Sequence, residues 1–240
     1  MAFLGYRRLL RDEPGPYRPA GDAPVARYGL LFVPGWASNA QVGRPLFEVI
    51  SSHLGEAQEW FCDWNTEPRP HDEKVNAVLD MLAAMHSHGH EYIVVIGHSY
   101  GGLVASNAML QWDGPHENAL LLTLNTPFGG PRKGLITMGR WLTWWRRGLP
   151  DDPELAFMNP TSKDLIDLRA GLADRRFQFR TLLSQQDEFV ASDSGLWPGT
   201  EVETEALWGH TGVLVRPGEV SSVGLKLSEV ILEELRPPGS

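Results

Sequence analysis

Apolar positions along the chain follow two rhythms, and their alternation predicts the fold before any single residue is considered. The runs Tyr28-Gly29-Leu30-Leu31-Phe32-Val33, Tyr92-Ile93-Val94-Val95-Ile96 and Ala119 to Leu124 have no polar face, which predicts strands covered on both sides. Glu59 to Trp64, Phe177 to Leu183 and Thr204 to Trp208 are further strand candidates. Between them a spacing of three and four takes over. Leu46, Phe47, Ile50 and Leu54 lie on one helical face, with Pro45 at a first helical position and Gly55 at the end. Val75, Val78, Leu79, Leu82 and Met85 mark a second helix, capped by Asp72 and ended by Gly89. Leu103, Val104, Met109 and Leu110 mark a third, closed by Gly114-Pro115. Val220, Val223, Leu227, Val230, Ile231 and Leu235 form the stripe of a last helix, which Arg236-Pro237-Pro238 stops.

Strand and helix alternating in this way predict an α/β fold, with a mostly parallel central sheet and helices on both of its faces. The rhythm breaks twice. Residues 1–25 carry Pro14, Pro16, Pro19 and Pro24 and are expected to form an N-terminal arm lying along a domain that spans residues 26–240. At about 131–168, Trp141, Trp144 and Trp145 crowd among Arg140, Arg146 and Arg147, and this stretch is expected to be a small helical cap inserted into the domain.

Composition narrows the partners. A chain of 240 residues that is 42% apolar can bury one sizeable core. Its formal charge of -9 disfavours nucleic acid, whose phosphates the overall field would repel. Cys62 is the only cysteine, so neither an intrachain disulfide nor a cysteine-based zinc site can form, and a reducing cytoplasm is the expected location. Met1 to Arg8 places its charges after a very short apolar patch, the wrong order for a secretory signal. No apolar run approaches the length that spans a bilayer.

The chemistry centres on Gly97-His98-Ser99-Tyr100-Gly101, between a buried strand and a helix. G-x-S-x-G in that setting fits a nucleophile elbow, a sharp turn that lifts the serine out of the sheet while glycines let strand and helix approach. A serine hydroxyl is a poor nucleophile at neutral pH, so it needs a histidine to take its proton and a carboxylate to hold that histidine. In this arrangement the acid follows a late strand and the histidine follows the last one. Asp187, in Ser184-Gln185-Gln186-Asp187-Glu188-Phe189-Val190, and His210, in Trp208-Gly209-His210, stand there, with Glu188 and Asp193 close to Asp187. His98 shares the backbone of the serine and is read as a packed neighbour rather than the base. His86, His88 and His90 are read as surface residues near a helix end rather than a metal site.

With these residues in order, the chain resembles an α/β-hydrolase, and within that family the lipase and esterase branch. The resemblance runs from about Arg27 to Leu235 and rests on Val33-Pro34-Gly35-Trp36, Gly97-His98-Ser99-Tyr100-Gly101, Asp187 with Val190 three residues on, and Gly209-His210. Leu124-Asn125-Thr126-Pro127-Phe128-Gly129-Gly130 resembles the Thr-Pro turn beside the serine in many lipase-like members. Pro34-Gly35 departs from the His-Gly that many members carry. The resemblance implies a serine hydrolase with a Ser99, His210, Asp187 triad, an oxyanion hole made by the backbone amides of Trp36 and Tyr100, and substrate contacts from Trp141, Trp144, Trp145 and Phe128. It implies a small-molecule ester or acyl substrate and neither cofactor nor metal. The same triad also serves acyltransferases, thioesterases and amidases, and a silent ligand-binding homologue would share the fold.

Overall fold

The computed structural model describes residues 24–62, 69–132, 134, 152–184, 186–202 and 209–236. Five parallel strands form one sheet: β1 (Tyr28–Val33), β2 (Ala57–Phe61), β3 (Tyr92–His98), β4 (Ala119–Leu124) and β5 (Gln178–Leu182), in the spatial order β2-β1-β3-β4-β5. Parallel neighbours cannot be joined by tight hairpins. The connections are made by α1 (Arg44–Leu54), α2 (His71–His88), α3 (Tyr100–Gln111), α4 (Pro153–Phe157) and α5 (Lys163–Ala173); α6 (Ser192–Gly195), α7 (Gly212–Val215) and α8 (Pro217–Glu234) follow β5.

Alternation along the strands divides the core into two layers. Leu31, Val33, Ile93 and Val95 pack with α2, α3 and α5 on one face, while Leu30, Phe32, Val94 and Ile96 pack with α1 and α8 on the other. Every residue of β1, β3 and β4 is buried, which is why their sequences are apolar apart from His98 and Thr123. Edge strand β2 is less covered and begins at Ala57, which pairs with Tyr28, rather than at Glu59.

Two further boundaries differ from the sequence expectations. Helix α2 starts at His71 after Pro70, and Asp72 sits inside its first turn, where a carboxylate complements the helix dipole without capping it. Helix α5 packs on α3 through buried Leu165, Leu168 and Leu172, so regular alternation resumes at Lys163, within the stretch assigned to the cap. The expected strand at Thr204 to Trp208, most of the N-terminal arm, and Trp141, Trp144 and Trp145 lie outside the described residues.

The chain runs outward from β1 to β2, then returns past β1 to β3 and continues to β4 and β5. The reversal falls between β1 and β3, and open α/β sheets bind ligands outside the C-terminal ends of the strands at such a point. Trp36 and Ser99 follow the ends of those two strands.

Candidate active site

Ser99 links β3 to α3 with φ 54° and ψ -129°, a backbone that a residue with a side chain adopts only where packing over-determines it. The packing is visible at the glycines. A Cβ on Gly97 would stand 2.6 Å from Gly102 Cα, and one on Gly101 would overlap the carbonyl oxygens of Val33 and Pro34. The Ser99 amide donates to Leu124 O at 2.8 Å, which fixes the turn to the end of β4.

The Ser99 hydroxyl lies 2.8 Å from His210 Nε2, and His210 Nδ1 lies 2.8 Å from Asp187 Oδ2. A carboxylate accepts, so Nδ1 carries the proton in this network and Nε2 is left to receive one from the serine. Asp187 Oδ1 accepts the amides of Phe189 at 2.7 Å and Val190 at 2.8 Å. The offset of three to Val190 is therefore the geometry of a loop that holds the carboxylate with its own backbone. The neighbouring acids act otherwise. Glu188 Oε2 accepts the backbone amide of His210 at 2.9 Å, and Asp193 is exposed in the first turn of α6.

Residues around this network hold the backbone of His210. His98 Nε2 donates to its carbonyl oxygen at 2.9 Å and Asn125 Nδ2 donates to the same oxygen at 2.8 Å. Burial above all, with His210 adding to it, pushes the His98 pKa down to about 3, so this ring stays neutral.

The two backbone donors expected for an oxyanion follow the ends of β1 and β3. Tyr100 is the first residue of α3, so its amide is one of the four that a helix start leaves without an intrahelical acceptor. Trp36 lies in the turn after β1, and its indole donates to Asp152 Oδ2 at 3.0 Å. The side chain of Tyr100 points into a buried polar layer. Its hydroxyl is 2.9 Å from His71 Nδ1, His71 stacks on Phe157 at 3.5 Å, and Asn107 Nδ2 donates to His71 Nε2 at 3.1 Å. Lys74 and Glu154 form a fully buried ion pair at 2.6 Å beside them. Burial pushes the Lys74 pKa down and the Glu154 pKa up, against the pull of the pair itself. Sequence reading passed over this layer although Lys74, Val78, Met81 and Met85 share the buried face of α2 at helical spacing.

Phe128 is 2% exposed and meets Phe179 and Trp197 edge-on at 5.8 Å. One expectation is corrected. His90 is buried, with Nδ1 on Ala26 O at 2.7 Å and Nε2 accepting the Trp60 indole at 3.0 Å, because the chain turns inward after Gly89 to enter β3. Among the described residues no cluster of His, Cys, Asp and Glu could hold a metal, and no helix is long and apolar enough to cross a membrane. A cavity of about 500 Å³ lies beside His71, Asn107 and Phe157, away from the Ser99 set.

The profile of the alpha/beta hydrolase family matches residues 30–222. Among solved structures the fold is similar to the mature lipase BlEst2 of Bacillus licheniformis, with a TM-score of 0.67 at 13% identity over 89% of this chain and 97% of that one. A lipase-esterase related protein from Clostridium acetobutylicum gives 0.59 at 15% identity over 85% and 94%. A soluble variant of monoglyceride lipase from Saccharomyces cerevisiae, in complex with a substrate analog, gives 0.59 at 12% identity over 93% and 94%. Identities this low speak for the fold alone. No curated protein sequence matches the chain.

Proposed function

We propose that this chain, which belongs to the alpha/beta hydrolase family, is a serine hydrolase that cleaves carboxylic esters through an acyl-enzyme on Ser99. The observation that carries the reading is the unbroken line from Ser99 Oγ to His210 Nε2 and from His210 Nδ1 to Asp187, both at 2.8 Å. As Oγ attacks the carbonyl carbon, His210 takes its proton and Asp187 stabilises the imidazolium. The carbonyl oxygen becomes an oxyanion held by the Tyr100 and Trp36 amides, each such donor typically worth about 2.7–4 kcal/mol in the transition state. Collapse expels the alcohol, which receives the proton from His210. Water then attacks the acyl-enzyme by the same route and frees the acid and Ser99.

Trp141, Trp144 and Trp145 belong to this proposal as an apolar roof over the acyl chain, because they follow β4 and the Thr126-Pro127 turn in sequence and the Ser99 amide is bonded to the end of β4. Removing apolar surface from water gains about 25 cal/mol per Å², so affinity should rise with acyl length until the pocket ends.

The test is a p-nitrophenyl ester series from acetate to long acyl chains, run with fluorophosphonate labelling on the wild type and Ser99→Ala. Turnover and labelling in the wild type, both lost in Ser99→Ala, are expected. Undiminished turnover in Ser99→Ala would overturn the reading, and a folded wild type that neither labels nor turns over would make the chain a silent homologue.

A further inference from the structure

We infer that His98, Asn125 and Glu188 are positioning residues that grip the backbone of His210 from both sides and thereby set the reach of its imidazole to Ser99. The inference rests on the triad proposed above. His210 belongs to no strand: it follows Gly209, whose φ is 76°, and precedes α7. Its ring must nevertheless meet Ser99 and Asp187 at 2.8 Å each, which leaves little freedom for its Cα.

The restraint is built from side chains. The His210 carbonyl oxygen has two lone pairs, and the N–H donors of His98 and Asn125 take both, at 2.9 and 2.8 Å. The His210 amide donates the other way, to Glu188 Oε2 at 2.9 Å. Each gripping residue comes from the end of a different strand. His98 closes β3 and precedes Ser99, Asn125 directly follows β4, and Glu188 adjoins Asp187 after β5. The strand ends that carry the nucleophile and the acid therefore also hold the base, so a displacement of any one of them moves His210 with it.

Neither donor is ambiguous. Asn125 Oδ1 accepts the Ser184 amide at 2.7 Å, which turns its Nδ2 toward His210, and its left-handed φ of 52° suits asparagine better than most residues. His98 must carry its proton on Nε2 to donate to a carbonyl, and Nδ1 has no partner among the described residues. Both side chains are at least 98% buried, where water competes least for these bonds. A ring nitrogen left bare in the interior costs stability that an apolar residue would not. The hydrogen bond to His210 is what the imidazole supplies in its place.

Four substitutions test the grip. His98→Phe keeps a ring and removes the donor, whereas His98→Gln places an amide N–H near the position of Nε2. Asn125→Asp keeps the shape and the acceptor for Ser184 while removing the donor. Glu188 is exposed, so Glu188→Ala removes the acceptor without touching the core. His98→Phe and Asn125→Asp should each lower kcat on a p-nitrophenyl ester by about 10–100-fold, and Glu188→Ala by about 3–10-fold, with KM nearly unchanged. Fluorophosphonate labelling should slow in proportion, the low-field proton resonance of His210 Nδ1–H should weaken, and His98→Gln should recover most of the rate. Thermal unfolding of each variant separates these effects from loss of fold. The inference is overturned if kcat in folded His98→Phe, Asn125→Asp and Glu188→Ala stays within about two-fold of wild type, or if His98→Gln is as slow as His98→Phe. Ser99→Ala distinguishes the two failures: if it is inactive while these variants run at the wild-type rate, the triad stands and only the grip falls.

Discussion

The carboxylate of Asp152 accepts the indole N–H of Trp36 at 3.0 Å, across 116 residues of sequence. Its other oxygen accepts the amides of Glu154 at 2.9 Å and Leu155 at 3.4 Å and so caps α4. One buried side chain thus ties the turn after β1, proposed to supply an oxyanion amide, to the helix that follows the Trp-rich segment.

Asp152→Asn keeps the volume but has a single acceptor oxygen, so either the cap or the Trp36 bond is lost. Turnover should fall by roughly 10-fold through a displaced amide, with a stability loss of about 1 kcal/mol. Trp36→Phe leaves one Asp152 oxygen buried without its partner and should cost about 1–3 kcal/mol of stability along with activity. Ester kinetics beside thermal melts read both effects. A wild-type kcat in Trp36→Phe would mean that the turn holds its amide without Asp152.

Asp187→Asn should lower turnover far more than Asp193→Asn, because only Asp187 reaches the imidazole. Comparable triads lose on the order of 10⁴ in rate when the acid becomes an amide and the histidine tautomer reverses. Steady-state kinetics on one ester settle the comparison, and equal small losses would assign the histidine to another carboxylate.

The backbone of Ser99 predicts an inverse relation between activity and stability at that position. Strain of this kind costs about 1–3 kcal/mol, and glycine relieves it at an entropic cost of roughly 0.5–1 kcal/mol. Ser99→Gly should be inactive and melt at or above Ser99→Ala. A clear drop below the alanine variant would show that the turn is not strained.

Buried neutral imidazoles make the fold sensitive to acid. Burial holds His71 and His98 each at about 3, against 6.5 for an unperturbed histidine. As pH falls below 6.5 the unfolded chain takes up protons that the folded chain refuses, so stability is complete above 6.5 and declines down to about 3, by about 2 kcal/mol per group at pH 5. Glu154, whose pKa burial raises, opposes this near its own titration, since there the folded state binds the proton more tightly. Urea unfolding at pH 7.5, 6 and 5 measures the sum. A flat profile that stays flat in Glu154→Gln would mean that both imidazoles accept protons in the fold.

Strands β1, β3 and β4 were legible to within about two residues because burial on both faces leaves mostly apolar side chains, and that pattern needs no knowledge of neighbours. That Ser99, Asp187 and His210 meet was legible because the elbow pattern, the offset of Asp187 from Val190 and the order of the three along the chain can be read without knowing the packing. The contacts that join distant segments were not. Nothing about Asp152 announces Trp36, and nothing about Asn125 announces the carbonyl of His210, since each choice is made by the packing of elements far apart in sequence. His90 misled for a related reason: its place near a helix end suggested exposure, while the path of the chain buried it.

The order of strands in the sheet also bears on how the proposed activity would be gained during folding. Turns after β1, β3, β4 and β5 each contribute one part of the proposed site, and His210 stands 111 residues from Ser99. Parallel pairs close long loops before they gain contacts, which makes such sheets slow to complete. In refolding from denaturant, helical signal should return well before fluorophosphonate labelling, and the recovery of labelling then times the arrival of the last strand and its loop rather than the collapse of the chain.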